Sequence, residues 1–320
     1  MSARYLAITG GVGGAKLAVG LAKLLGPDAL AFLVNTGDDF EHLGLQICPD
    51  IDTLTYSLAG LSHPDLGWGR RDETWGFMEA LQQLGGEAWF RLGDRDLGLH
   101  VTRTQRLQAG ASLTEVVREI ATALGIRHAM LPMSDVPVRT VVHTPQGNLG
   151  FQHYFVRDQC RPEVTGFTFE GSASATLNPL ARHWLEDPQL AGVILCPSNP
   201  FVSIDPVLAV PGLRPLLQRL QVPVVAISPI VAGLAIKGPT AKMMRELKMP
   251  LTASAVAEHY ADILDGFILD AQDEALIGTV GRSDLSAIAA PSVMVTLADK
   301  VALARSTLDF IDQLSALRKW

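Results

Sequence analysis

Cysteine is scarce in this chain of 320 residues: Cys48, Cys160 and Cys196 stand far apart, with no C-x-x-C pair. That spacing gives no support to a disulfide framework or a zinc knuckle and fits a reduced, cytoplasmic setting. Positive charge is not in excess either. The formal charge is -7 and the pI is near 5.6, which argues against a nucleic-acid partner, because such binding rests on Lys and Arg neutralising many phosphates. Nor is a membrane span expected: the most apolar long stretch, residues 222–236, is broken by Pro223, Ser228, Pro229 and Gly233 and is too short to cross a bilayer. The first residues run into a strand-like stretch without a basic leader or cleavage site, so no signal peptide is expected. The eight histidines contain no H-x-x-x-H pair and no G-x-S-x-G elbow occurs, so neither a histidine metal centre nor a serine triad is indicated. Repeats, low-complexity tracts and charge blocks are absent as well.

What is present is apolar sequence enough for one large core or two unequal ones, at 48% hydrophobic. Tyr5 to Thr9 reads as a buried strand, Ala15 to Leu25 as an amphipathic helix and Ala29 to Asn35 as a second buried strand. Short apolar strands without alternation imply a parallel sheet covered on both faces. The pattern returns at 192–196, 222–228, 266–270 and 292–297, with helices over 253–264 and 298–317. The expected fold is α/β: a Rossmann-like, three-layer parallel sheet in a single domain over 1–320. Between the halves, Asp72 to Leu84 and Ser112 to Leu124 read as helices, the latter opened by a Ser112/Glu115 capping box. A hairpin follows over 138–144 and 149–156. This helical and β-hairpin insertion, roughly 55–165, is expected to form a lid or small subdomain over the carboxyl edge of the sheet, where ligands of open α/β sheets bind.

Three polar stations end apolar runs within the first 53 residues. The first is Thr9-Gly10-Gly11-Val12-Gly13-Gly14-Ala15-Lys16, a glycine segment between strand and helix, the context in which main-chain amides hold an anion. It is neither a Walker loop, since Ala15 precedes and Leu17 follows the lysine, nor the dinucleotide G-x-G-x-x-G pattern. A plain tight turn is the competing reading. The second station, Asn35-Thr36-Gly37-Asp38-Asp39, is also ordinary turn chemistry. The third is Cys48-Pro49-Asp50-Ile51-Asp52. In an extended segment its two carboxylates would point to one side and repel unless a cation or proton lay between them, so metal binding, as Mg²⁺, is expected there. Beyond these stand Trp89 to Asp96, with aromatics beside alternating charges, and the strand-end loops Cys196-Pro197-Ser198-Asn199-Pro200 and Ser228-Pro229-Ile230. Strand-end Ser and Asn residues can bond a base, ribose or phosphate, but prolines also simply end strands.

Taken in order, T-G-G-V-G-G-A-K, N-T-G-D-D, P-D-I-D-T, L-G-D-R-D, L-P-M-S-D, P-S-N-P and S-P-I resemble the 2-phospho-L-lactate transferase family of coenzyme F420 biosynthesis. The resemblance implies transfer of a phospholactate-type group (2-phospholactyl, phosphoenolpyruvyl or 3-phosphoglyceryl) from a guanosine diphosphate ester to the ribityl hydroxyl of the deazaflavin Fo. GMP leaves, Mg²⁺ is required, and a homodimer is expected. Carried onto this chain, the nucleotide and its phosphates fall to Gly10, Gly11, Gly13, Gly14, Lys16, Asn35, Ser198, Asn199 and Ser228. The metal falls to Asp50 and Asp39, catalysis to Asp52 with Asp50, and deazaflavin contacts to Asp52, Arg91 and Trp68. Arg91 stands where a lysine is expected, which exchanges a compact ammonium for a planar fork. Trp75 and Trp89 are further aromatic faces for a flat ring. The competing reading is a non-enzymatic regulator of the gluconeogenesis-factor type, which binds nucleotide sugars.

Overall fold

Non-alternating apolar runs become the strands of a sheet buried on both faces. The computed structural model describes residues 3–64, 67–236, 238–281 and 285–317. Along the chain come β1 (Arg4–Thr9), β2 (Leu30–Val34), a hairpin of β3 (Phe40–His42) and β4 (Leu45–Ile47), and β5 (Ala129–Pro132). Then follow β6 (Arg139–Thr144), β7 (Gly147–Gly150), β8 (Gly166–Glu170), β9 (Leu190–Leu195) and β10 (Val224–Ile227). A small hairpin of β11 (Ile230–Val231) and β12 (Leu234–Ala235) precedes β13 (Gly266–Asp270) and β14 (Ser286–Ala290). Seven of these strands form one sheet in the order β14-β13-β10-β9-β1-β2-β5, every pair parallel. The order reverses at β1 and β9, and a crevice opens at such a switch point beyond the carboxyl ends of the strands.

Alternate residues of the central strands feed two separate apolar layers. Leu6, Ile8, Leu33, Val193 and Leu195 face one; Tyr5, Ala7, Phe32, Val34 and Ile194 face the other. Each fully buried side chain of this size contributes roughly 1.5–3 kcal/mol. The second layer is roofed by α1 (Gly11–Leu24), α2 (Pro49–Leu58) and the terminal helix Leu297–Leu317. The inserted material comes from two crossovers. Between β2 and β5 run α2, α3 (Gly76–Gln83), α4 (Asp94–Gln108) and α5 (Leu113–Ala123), while the antiparallel β7-β6-β8 sheet lies between β5 and β9. Ser112 caps α5 in a full capping box with Glu115.

Several local expectations are corrected. The glycine segment is not a loop before a helix starting at Ala15, because α1 begins at Gly11 and the glycines form its first turn. A Cβ on Gly13 would lie 2.2 Å from the Pro197 carbonyl oxygen, so this glycine serves close approach of α1 to the loop after β9. We expect Gly13→Ala to destabilise the protein by ~1–3 kcal/mol through overpacking, read as a lower urea midpoint; an unchanged midpoint would mean that α1 can move aside freely. The second hairpin strand ends at Gly150 rather than Val156, and His153–Arg157 is a wide helical turn. The reason is burial: Phe151 and Tyr154, three residues apart, both enter the core, and that spacing shares a face only on a helix. The last strand is Ser286–Ala290, not 292–297, since Pro291 ends it and the Ser292 amide is held by Asp270 Oδ2 at 2.7 Å. The helix expected over 253–264 closes at His259. Among the described residues no helix is long and apolar enough to cross a membrane.

Candidate functional site

Asp50 and Asp52 are not in an extended segment. Pro49 occupies the first turn of α2 and both acids follow it there, the position that suits proline's fixed φ and the positive end of a helix. Two residues on a helix are about 200° apart, so the carboxylates diverge instead of pairing.

Asp50 points to the switch point. Its Oδ1 accepts the Gly11 amide at 2.6 Å, at the N-terminus of α1, and its Oδ2 accepts from Asn35 Nδ2 at 2.9 Å. Asn35, fully buried at the end of β2, also donates to Asp38 Oδ1 at 3.2 Å and to the Val202 carbonyl at 3.1 Å. Its own Oδ1 accepts the Gly37 amide at 2.8 Å. One amide side chain therefore ties α2, the turn after β2 and the segment Pro200–Ile204 around one spot. Gly37 admits the tight packing, since a Cβ there would lie 2.7 Å from Thr140 Oγ1 and 2.9 Å from Asn35 Oδ1.

Three buried acids, Asp50, Asp38 and Asp39, stand in this neighbourhood. Burial pushes Asp50 up to about 6, against the hydrogen bonds from Asn35 and Gly11 that favour its charged form. Burial also lifts Asp38 well above the usual range, helped by repulsion from Asp50 and Asp39. Asp39 is raised by burial to about 7, with Arg139 working in the opposite direction. Asp39 Oδ1 and the hydroxyls of Thr36 and Thr140 are buried without a hydrogen-bond partner. Asp38, Asp39 and Thr140 line a cavity of about 340 Å³ with Phe40, Arg139 and His153 among its walls. Crowded carboxylate oxygens are what a hard cation would satisfy. Among the described residues no three His, Cys, Asp or Glu side chains converge on a metal position, so magnesium here would take one or two carboxylates and complete its shell from phosphate and water.

Asp52 turns to the other side of α2, where Arg103 of α4 holds both its oxygens, Nη1 at 3.1 Å from Oδ2 and Nη2 on Oδ1. Arg103 is only 1% exposed. His100 Nδ1 lies 3.7 Å from Asp52 Oδ2, and its Nε2 is 3.2 Å from Asp96 Oδ2. Asp96 also accepts the Tyr56 hydroxyl; burial works to raise its carboxyl, but the bonds from His100 and Tyr56 hold it below the usual range. Sequence reading overlooked this network. Asp96, His100 and Arg103 are four and three residues apart, one face of a helix, and that spacing was the available signal.

The other expected site residues fall into two groups. Ser198 Oγ donates to the Gly10 carbonyl at 2.8 Å across the switch point, and Gly14 packs there against Thr9 and Ser198. Asn199 caps the following turn through the Phe201 amide. By contrast, Lys16 Nζ bonds the Met294 carbonyl at 2.7 Å, and Ser228 Oγ closes its own turn on Ile230. The Arg91 guanidinium lies 4.0 Å from the Trp75 ring centroid, and Trp68 is 56% exposed. Trp89 lies near His153 and His42, with centroids 4.8 and 5.0 Å away, and so touches a wall of the cavity.

Residues 6–290 match the family described as 2-phospho-L-lactate transferase CofD. The chain belongs to this family. Among curated relatives, a phosphoenolpyruvate transferase of Kitasatospora aureofaciens is 38% identical over 318 residues, 97% of this chain and 98% of that one. A 2-phospho-L-lactate transferase of Methanosarcina barkeri is 36% identical over 267 residues, 83% and 85% of the two chains. In fold, the chain is similar to a solved UPF0052 family protein of Bacillus halodurans, with a TM-score of 0.62 and 15% identity over 96% of this chain and all of that one. Family membership makes the protein a transferase relative, with the buried acids at the place where this doubly wound sheet opens.

Proposed function

We propose that the protein transfers a phosphoenolpyruvate- or phospholactate-type group from a guanosine diphosphate ester to the terminal ribityl hydroxyl of Fo. The bond that forms joins the hydroxyl oxygen to the phosphorus carrying the acid. The bond that breaks joins that phosphorus to the bridging oxygen, which leaves with GMP. One juxtaposition carries this reading: Asp50 seated on the Gly11 amide and linked through Asn35 to Asp38, where the sheet order reverses.

In this reading Asp50 and Asp38 would hold Mg²⁺, which would offset charge on the phosphoryl oxygens. Asp39 is preferred to Asp52 as the group that receives the hydroxyl proton. Its carboxyl sits near neutrality, one oxygen has no partner, and a base is most effective with its pKa near the working pH. Asp52, gripped by Arg103, contributes by fixing α2 and orienting the acceptor. Phe40 and His153 offer aromatic faces in the cavity wall. The working form in this reading is a cytoplasmic homodimer.

The test is incubation with Mg²⁺, Fo and each guanosine diphosphate ester in turn, with GMP release followed by chromatography. Release that depends on both Fo and ester is expected. No turnover with any ester, together with tight binding of a UDP-sugar, would replace this reading with that of a regulator.

A further inference from the structure

We propose that Arg139 binds the carboxylate of the phospho-acid being transferred, and so selects acid esters over neutral ones; this rests on the function proposed above. Three observations carry it. Arg139 lines the cavity beside Asp38 and Asp39, brought there because the Thr140 amide bonds the Gly37 carbonyl at 2.5 Å and docks β6 on the turn after β2. Its guanidinium is under-used: Nη1 bonds the adjacent Val138 carbonyl at 2.9 Å, yet no carboxylate among the described residues lies within ion-pairing distance. Even Glu170, its cross-strand neighbour on β8 and another wall of the cavity, makes no ion pair with it. Finally, two residues of the cavity wall, Asp39 and Thr140, carry buried polar atoms with nothing to bond, Oδ1 and Oγ1, and such atoms call for a partner.

Phosphoenolpyruvate, phospholactate and phosphoglycerate differ in their carbon skeletons but share one carboxylate. A guanidinium presents two parallel N–H groups that match a carboxylate's two oxygens, and this pairing fixes orientation as well as adding affinity. An anion entering beside Asp38 and Asp39 needs such a partner to offset repulsion. Arg139 is the arginine in that wall.

The experiment compares an acid ester of guanosine diphosphate with its counterpart in which hydrogen replaces the carboxylate, for instance the 2-lactyl and ethyl esters. A charge-assisted bond of this kind corresponds to about 10- to 100-fold. The protein should therefore favour the acid ester by that factor in kcat/KM, and in affinity by calorimetry without Fo. Arg139→Gln should bring the ratio near one, on top of any change common to both esters from the charge lost beside Asp38 and Asp39, and Arg139→Lys should retain part of the preference. Retained calorimetric binding of the ethyl ester shows in the same experiment that the variant is folded. An equal loss for both esters, or an undiminished preference in Arg139→Gln, would overturn the assignment. If calorimetry shows the preference and its loss while no ester turns over, the transferase reading fails and the carboxylate site stands.

Discussion

Asp50→Asn lowers turnover by about 10²- to 10³-fold, the expected consequence of removing a carboxylate that helps neutralise a phosphoryl transition state, while the metal-free fold survives. The two effects separate because Asp50 is costly to the unliganded protein. Its carboxyl titrates near 6 when folded, against 3.8 as the ordinary value, because it is buried. Between about pH 4 and 6 the folded state therefore binds more protons than the unfolded one, so wild-type stability falls as pH rises through that window. Asparagine cannot ionise and escapes this loss. It does forfeit one hydrogen bond, since its NH₂ must face either the Gly11 amide or the Asn35 amide, both donors. With chelator present, wild type should thus be the more stable at pH 4, and its advantage should shrink by on the order of 2–3 kcal/mol by pH 8. Thermal denaturation at the two pH values measures this directly. A collapse of the variant at both would make Asp50 a structural residue.

The second large effect belongs to Arg103. Arg103→Met leaves Asp52 buried without its counter-ion, and breaking one side of a buried pair costs about 3–5 kcal/mol. The loss also strips a bond to the Gln46 carbonyl and loosens α4 from α2. Denaturant unfolding of Arg103→Met, Asp52→Asn and the double variant closes a cycle, and the double variant should be markedly more stable than the sum of the single losses. Simple additivity would show that the two groups do not depend on each other.

These effects mark what could and could not be read from the chain. The central strands were legible because Leu30–Val34 and its neighbours are short apolar runs without alternation, as strands of a doubly covered parallel sheet are. The polar stations were legible for the same reason, since a strand's carboxyl end is where apolar sequence stops. Local geometry was less so. Pro49-Asp50 begins a helix as readily as it ends a strand, and tertiary packing of Ile51 and Leu54 under the sheet decided for the helix. Arg103 lies 51 residues from Asp52, and Arg139 reaches the acids only because β6 docks on Gly37; neither distance leaves a mark in a single sequence. Nor did the glycines declare their purpose. The absence of a Cβ looks the same whether it makes room for a phosphate or, as at Gly13, for the Pro197 carbonyl.

The most direct test of the central claim, that Asp50 and Asp38 grip a divalent cation against a diphosphate at the switch point, is a crystal structure with GDP and Mn²⁺ phased on the manganese anomalous signal. One strong peak is expected within about 2.5 Å of an Asp50 or Asp38 carboxylate oxygen and of a phosphate oxygen. A peak coordinated elsewhere, with those two side chains still bonded only to Gly11, Asn35 and Gln152, would contradict it.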